Sequence, residues 1–287
     1  MNIELYVIQH ERQRAHCEGL DAFLREAGHS VTTHEATSVS GRQHAESNTA
    51  LSIFYGLGGE VGRIKEEQLA AGKMAAVMEF GYLNRYEYVG VSLLSQSSTT
   101  HNNSGDFLAS ARKPDDRLLA LGGQEATEPK RSPGRPSKKT SKTAIILGQV
   151  PGDTQLGGVD LEAWTRNCIS TLQSVGYEVD FRAHPKIAPS KETLTEALKR
   201  ADLVAAVNST ALVEAIQIGT HFICSDHCQY APMATENIIT PKAKTIEERQ
   251  QFLANLAYCQ YNPSEFRDGS AWAHLVELSK MRGQEIE

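Results

Sequence analysis

Short apolar runs alternate with longer amphipathic stretches through most of this chain. Residues 3–9, IELYVIQ, are rich in β-branched side chains and read as a strand. A helical pattern follows from about residue 11 to residue 27, with Ala15, Leu20, Phe23 and Leu24 on one face and Gly28 as its stop. Residues 29–36, 49–57, 74–80 and 86–94 read as further strands. The second of these ends in Gly58-Gly59 and leads into a helix through Ala71.

The second half repeats the pattern more cleanly. Residues 143–150 form a buried-strand run that stops at Pro151-Gly152-Asp153. Leu161, Trp164, Cys168, Ile169, Leu172 and Val175 then make a helical stripe closed by Gly176. Strands are expected at 177–184, 202–208 and 221–226, with helices at 194–201 and 209–219 between them. Repeated strand and helix in this order predicts an α/β protein of two Rossmann-like domains, each with a mostly parallel, covered sheet. The two are expected to face a central cleft, with ligand at the C-terminal ends of the strands.

The net charge of −6 over 287 residues hides a local reversal. Residues 128–142, EPKRSPGRPSKKTSK, hold six basic residues against one acid, three of the ten prolines and no large apolar side chain. Such a segment cannot join a core. It divides the chain into an N-terminal domain at 1–127 and a C-terminal domain at 143–287. No apolar run reaches 18 residues, so no ordinary membrane helix is expected. The first residues lack the basic start and apolar stretch of a signal peptide. With five scattered cysteines, the expectation is a cytoplasmic protein with reduced thiols and no membrane partner.

Within the basic segment, Pro133-Gly134-Arg135-Pro136 is flanked by Lys130, Arg131, Lys138 and Lys139 and resembles an AT-hook. The resemblance implies Arg135 in a narrow A·T minor groove and the flanking cations on phosphates, hence double-stranded DNA as a partner. Pro133 stands where that family usually has arginine. The plainer reading is a soluble spacer.

Candidate chemistry gathers at predicted strand ends. Arg182, His184 and Lys186 fall within five positions after a strand and suit a diphosphate, Arg as a planar fork and Lys as a point charge. An exposed basic loop is the alternative. Asn208-Ser209-Thr210 joins a strand to a helix, where amide groups and hydroxyls suit an anion, or where Ser209 simply caps. Glu214, in that helix, either faces solvent or accepts from the hydroxyls of a ribose. Gln149, Gly152 and Asp153 lie in a turn that lets a ligand approach the backbone closely, as any tight loop would. Cys224-Ser225-Asp226-His227-Cys228 lacks a clear fourth zinc ligand and reads as a buried strand end with incidental thiols. Tyr82, Tyr86 and Tyr88 suit stacking on bases, though alternation assigns at least two to sheet packing.

In order and spacing, residues 143–240 resemble the donor half of a GT-B nucleotide-sugar glycosyltransferase. Residues 256–275 look like the tails of phage-encoded and capsule-type sugar transferases. The resemblance implies a UDP-sugar as donor, held by Gln149, Gly152, Asp153, Arg182, His184, Lys186, Asn208, Ser209, Thr210 and Glu214. It implies no metal, since Arg182 and Lys186 can meet the departing diphosphate and no DxD triplet is present. The acceptor falls to the N-terminal half. There Gly58-Gly59 is a candidate contact for acceptor or diphosphate, and Glu79, Glu60 or, behind them, Asp106 is the candidate base.

Taken with the hook-like segment, the expected activity is transfer of a sugar to the hydroxymethyl group of a modified pyrimidine in DNA, the base being flipped out. The alternatives are a transferase acting on a surface or capsular polysaccharide and a non-catalytic DNA-binding protein.

Overall fold

A computed structural model describes residues 1–7, 11–35, 48–94, 105–128 and 142–286. The hook-like residues Lys130, Arg131, Arg135, Lys138 and Lys139 lie outside them. Lys142, the last residue assigned to the basic segment, begins a strand: it is buried, and its Nζ donates to the Ile239 carbonyl at 2.8 Å.

The chain runs through β1 (Asn2–Val7), α1 (Glu11–Glu26), β2 (Ser30–Glu35), β3 (Leu51–Tyr55), α2 (Glu60–Ala70), β4 (Met74–Phe80) and β5 (Val89–Leu94). Short helices α3 (Gly105–Ser110) and α4 (Asp116–Ala120) follow. Next come β6 (Lys142–Leu147), α5 (Leu161–Ser174), β7 (Tyr177–Arg182), α6 (Leu194–Arg200), β8 (Leu203–Ala206), α7 (Ala211–Ile218) and β9 (Phe222–Cys224). The chain ends with α8 (Ile246–Ala257), β10 (Gln260–Tyr261), α9 (Pro263–Arg267) and α10 (Ser270–Met281). It forms two compact units. The first comprises 1–111, 120–122 and 255–287, the second 112–119 and 123–254.

The first unit holds a six-stranded sheet in the order β10-β5-β4-β3-β1-β2. The strands β2, β1, β3 and β4 are parallel, as the alternation of strand and helix predicts. β5 departs from that pattern and runs antiparallel to β4. Only residues 81–88 join the two, too few for the crossover a parallel pair needs. They fold instead as a tight reversal, with the Gly81 amide on the Tyr88 carbonyl at 2.9 Å. Tyr6, Phe54, Ala75 and Val77 pack with Val61, Ile64 and Leu69 of α2 on one face.

The C-terminal segment, grouped with the second half in the sequence, belongs to the first unit. β10 pairs antiparallel with β5 and covers its edge. Gln260 is fully buried there. Its Oε1 accepts from the amides of Tyr82 and Leu83 at 2.6 and 3.0 Å, and its Nε2 donates to the Leu83 carbonyl at 2.8 Å. The Arg282 guanidinium, whose pKa burial lowers, donates to the Leu93 carbonyl. An edge strand with unpaired backbone groups is thereby closed.

The second unit holds a four-stranded parallel sheet in the order β7-β6-β8-β9. Ala144, Ile146, Leu203 and Ala205 form its core with Leu172, while Trp164, Cys168 and Ile169 of the predicted α5 stripe pack against them. Burial pushes the Cys168 thiol up to about 11, which suits a packing role. α6 starts with a capping box between Thr193 and Glu196.

Both sheets contain the same arrangement. In the first, the order β2-β1-β3-β4 reverses between β1 and β3. In the second, the order β7-β6-β8-β9 reverses between β6 and β8. Helices that leave in opposite directions open a crevice at such a point, at the C-terminal ends of the strands.

Candidate functional site

In the second unit the reversal point is organised by one side chain. Gln149, two residues past the end of β6, reaches across to the residues that follow β8. Its Oε1 accepts from the amides of Val207 and Asn208 at 2.9 and 3.0 Å, and its Nε2 donates to the Asn208 carbonyl at 2.5 Å. Gly148, just before Gln149, lets the end of β6 pass close to β7. A Cβ there would lie 2.8 Å from Phe181 and 3.1 Å from the Arg182 carbonyl. Asn208 is buried in turn. Its Nδ2 donates to the Gln155 backbone and side-chain oxygens at 3.3 and 3.4 Å, and its Oδ1 accepts from the Cys228 thiol at 3.4 Å.

The neighbouring groups have assigned roles of their own. Asp153 caps a 3₁₀ turn, Thr154–Leu156, by accepting from the Gln155 amide at 2.9 Å; Gly152, beside it, is exposed. Ser209 Oγ, one residue ahead of the cap position of α7, accepts from the Ala211 amide at 3.3 Å. Thr210 is half-buried at the start of α7 and makes no side-chain cap. Glu214 faces neither open solvent nor the turn alone, because its Oε1 accepts from the Thr195 hydroxyl of α6. Ser225 donates to the Val207 carbonyl at 2.7 Å. Gln155 and Thr195 are participants that spacing did not single out, and Cys228, weighed in the sequence only as a zinc ligand, enters as a donor to Asn208. Each joins the cluster through tertiary contact, which no local pattern records.

Arg182, His184 and Lys186 flank this turn on the neighbouring strand. Leu147 of β6 pairs in register with Arg182 of β7, and the Gly148 amide donates to the Arg182 carbonyl at 2.8 Å. The Arg182 guanidinium donates to Ser190 Oγ at 2.5 Å. His184 Nδ1 accepts from the Lys186 amide at 3.1 Å, which leaves the neutral ring with its proton on Nε2, a donor. Lys186 is exposed. The loop is braced from behind by Arg200, which pairs with Asp180 at 2.7 Å and Glu192 at 2.8 Å. Among the described residues no three His, Cys, Asp or Glu side chains are placed to hold a metal ion.

In the first unit, Gly59 has φ 59° and ψ −137° at the N-terminal cap of α2, a conformation that glycine alone adopts cheaply. Gly58 has open space where a Cβ would stand. Glu60 opens α2 and pairs with Arg63 at 2.9 Å. Glu79 is half-buried near the end of β4, and its charge, after burial, helps hold the Tyr55 phenol protonated. Asp106, expected in a loop, lies in the first turn of α3. Of the three tyrosines, Tyr82 packs against Gly90 and Tyr88 is half-buried, while Tyr86 is 77% exposed.

Among the described residues no helix is long and apolar enough to cross a membrane. No protein-family model and no curated protein matches the chain. Solved structures do. The KpsC β-Kdo 2,7 transferase of Thermosulfurimonas dismutans matches with a TM-score of 0.55 at 14% identity, over 96% of this chain and all of that one. The KpsC β-Kdo 2,4 transferase of the same organism matches with a TM-score of 0.50 at 14% identity, over 95% of this chain and 97% of that one. At this identity the likeness is one of fold, and the chain shares the α/β fold of these two sugar transferases.

Proposed function

We propose that this protein is a glycosyltransferase that moves a sugar from a nucleotide-sugar donor to a glycan acceptor. The observation that carries the reading is the likeness of fold, over almost the whole chain, to two Kdo transferases. The second unit adds chemistry consistent with it: a reversal point with a rigid turn, flanked by a guanidinium, an imidazole N–H donor and an ammonium. In this reading Arg182, His184 and Lys186 meet the phosphate of the donor and stabilise the charge that develops as it departs. Gln149 and Asn208 shape the turn, and Glu214 remains the candidate partner for ribose through its second oxygen. The first unit takes the acceptor. Glu79, or Glu60 after release from Arg63, receives the proton of the attacking hydroxyl.

A glycan acceptor is favoured over modified DNA, because the two neighbours in fold are named as transferases of the sugar Kdo. The test incubates the protein with UDP-, GDP- and CMP-linked sugars and two acceptors, a Kdo-containing oligosaccharide and hydroxymethylpyrimidine DNA. Nucleotide release and acceptor mass are read together. Mass gain on the oligosaccharide is the expected result. Gain on the DNA alone moves the acceptor to nucleic acid, and no release from any donor removes the transferase reading.

A further inference from the structure

The second unit holds a polar contact beside its crevice that helix capping does not require. Glu214, one turn into α7, is half-buried between the buried Val213 and Ala215, and its Oε1 accepts from the hydroxyl of Thr195 on α6. Among the described residues nothing meets its Oε2.

Three observations separate this pair from ordinary helix chemistry. The first turn of α7 has no use for a carboxylate. The Ala211 amide donates to Ser209 Oγ at 3.3 Å, and the amides of Leu212 and Val213 donate to the carbonyls of Ser209 and Thr210 at 3.0 Å each. The start of α6 has no use for the Thr195 hydroxyl either, because its capping box is complete. Thr193 Oγ1 accepts from the Glu196 amide at 3.2 Å, and Glu196 Oε2 accepts from the Thr193 amide at 2.7 Å. Nor do the two segments depend on this tie. Just past the end of α7, the buried Thr220 hydroxyl donates to the Leu198 carbonyl of α6 at 3.1 Å.

What the contact does fix is direction. A glutamate side chain turns about several bonds, and one near a helix N-terminus is drawn toward the helix's own amides. Threonine is stiff at χ1, so its hydroxyl holds Oε1 on the α6 side and sets the plane of the carboxylate. The direction in which Oε2 accepts is set with it.

We propose that Thr195 is a positioning residue that aims Glu214 at the hydroxyls of a ribose and makes the site selective for ribonucleotides over deoxyribonucleotides, an assignment that rests on the donor reading above. With Oε1 occupied, Oε2 keeps lone pairs for two vicinal hydroxyls, and a deoxyribose leaves one of them unused.

The test titrates the full chain calorimetrically with UDP, GDP and CMP and with the 2′-deoxy form of each. The ribonucleotide that binds should do so about tenfold more tightly than its deoxy form. Thr195→Val and Thr195→Ala should each erase that ratio by weakening the ribonucleotide alone, and Thr195→Ser, which keeps the hydroxyl, should retain most of it. Glu214→Ala should erase the ratio too, and adding Thr195→Val to it should change nothing further. Arg182→Ala should weaken both forms alike, which separates phosphate from ribose. The proposal is overturned if the ratio survives removal of the hydroxyl, if it falls as far in Thr195→Ser, or if Thr195→Val acts again in the Glu214→Ala background. A hydroxyl whose removal lowers the melting temperature and leaves the ratio intact only joins two helices. Wild type that binds both forms alike overturns the positioning role and leaves the donor site standing. Binding of no nucleotide at all removes the donor reading, and the positioning role with it.

Discussion

Between β6 and β8 the crevice is bridged by Gln149, whose amide meets two N–H groups and a carbonyl, and the buried Asn208 beyond it is held by Gln155 and Cys228. Between β1 and β3, in a sheet with the same strand order, Gln13 and Tyr55 are equally buried and the Gln13 side chain meets the Tyr55 hydroxyl, beside exposed aromatic rings. One crevice has its polar demand met from within, and it offers a ligand charge and backbone at its rim. The other is paired more sparsely and is walled by exposed rings, Tyr86 and Phe80. The same topology therefore presents two different rims, cations on a fixed turn in one and aromatic faces in the other.

The sharpest way to break this contrast is to open the closed crevice. Gln149→Leu keeps the volume and leaves the amides of Val207 and Asn208 and the Asn208 carbonyl unpaired. At about 1 kcal/mol or more for each buried group, the second unit should lose about 3 kcal/mol, read by urea denaturation. Gln149→Glu keeps the acceptor for both amides and should lose less. Next in size, Arg182→Ala and Lys186→Ala should each cost about 2 kcal/mol of donor binding, roughly thirty-fold in donor KM, with the fold unchanged. A donor KM that ignores both would return this loop to an ordinary basic surface.

A smaller change is expected in the crevice of the first unit. Tyr55→Phe removes a hydroxyl that the Gln13 side chain meets, so the protein should lose about 1 kcal/mol. Thermal melting checks the sign, and a gain would mean that this hydrogen bond contributes nothing. The prediction sharpens the comparison, because one side chain meets three backbone groups in the one crevice and a single hydroxyl in the other.

How much of this was legible in the sequence differs between the two units for physical reasons. In the second unit the central strands β6 and β8 are buried almost throughout and α5 carries a stripe, so apolar runs and turn residues mark the elements to within a few positions. Arg182, His184, Lys186, Gln149 and Asn208 stand out as candidates because open α/β sheets gather chemistry at strand ends. The role of Gln149 as a bridge is not legible, since its partners lie 58 and 59 residues away. In the first unit, the antiparallel β5 and the return of residues 255–287 escaped the reading. A two-residue strand such as β10 has no periodicity, and its place is set by the buried Gln260 amide meeting the turn at Tyr82 and Leu83. Gln13 and Tyr55 were invisible for a related reason. In sequence they are an ordinary helix residue and an ordinary strand residue, and only the tertiary contact between them distinguishes them.

The smallest expected effect concerns the brace behind the charged loop. Arg200 links Asp180 at the end region of β7 to Glu192 just before α6, so it spans the loop that carries His184 and Lys186. The Arg200 hydrogen bond and charge hold the Glu192 carboxyl below its ordinary range, against a small opposing effect of burial. A carboxyl whose folded pKa is depressed contributes stability that is present above its unfolded value and fades as pH falls through the folded one. Both partners are solvent-accessible, so the contribution at neutral pH is small and screened by salt. Arg200→Gln should therefore melt slightly below wild type at pH 7 in low salt, and the two curves should converge as pH drops below the usual glutamate range. If donor KM also rises in the variant at pH 7 and the difference vanishes in acid, the brace positions the loop for phosphate. If melting shifts while donor KM does not, Arg200 supports only the fold. The charged rim would then be preset by the Gly148 contact and the His184 turn alone.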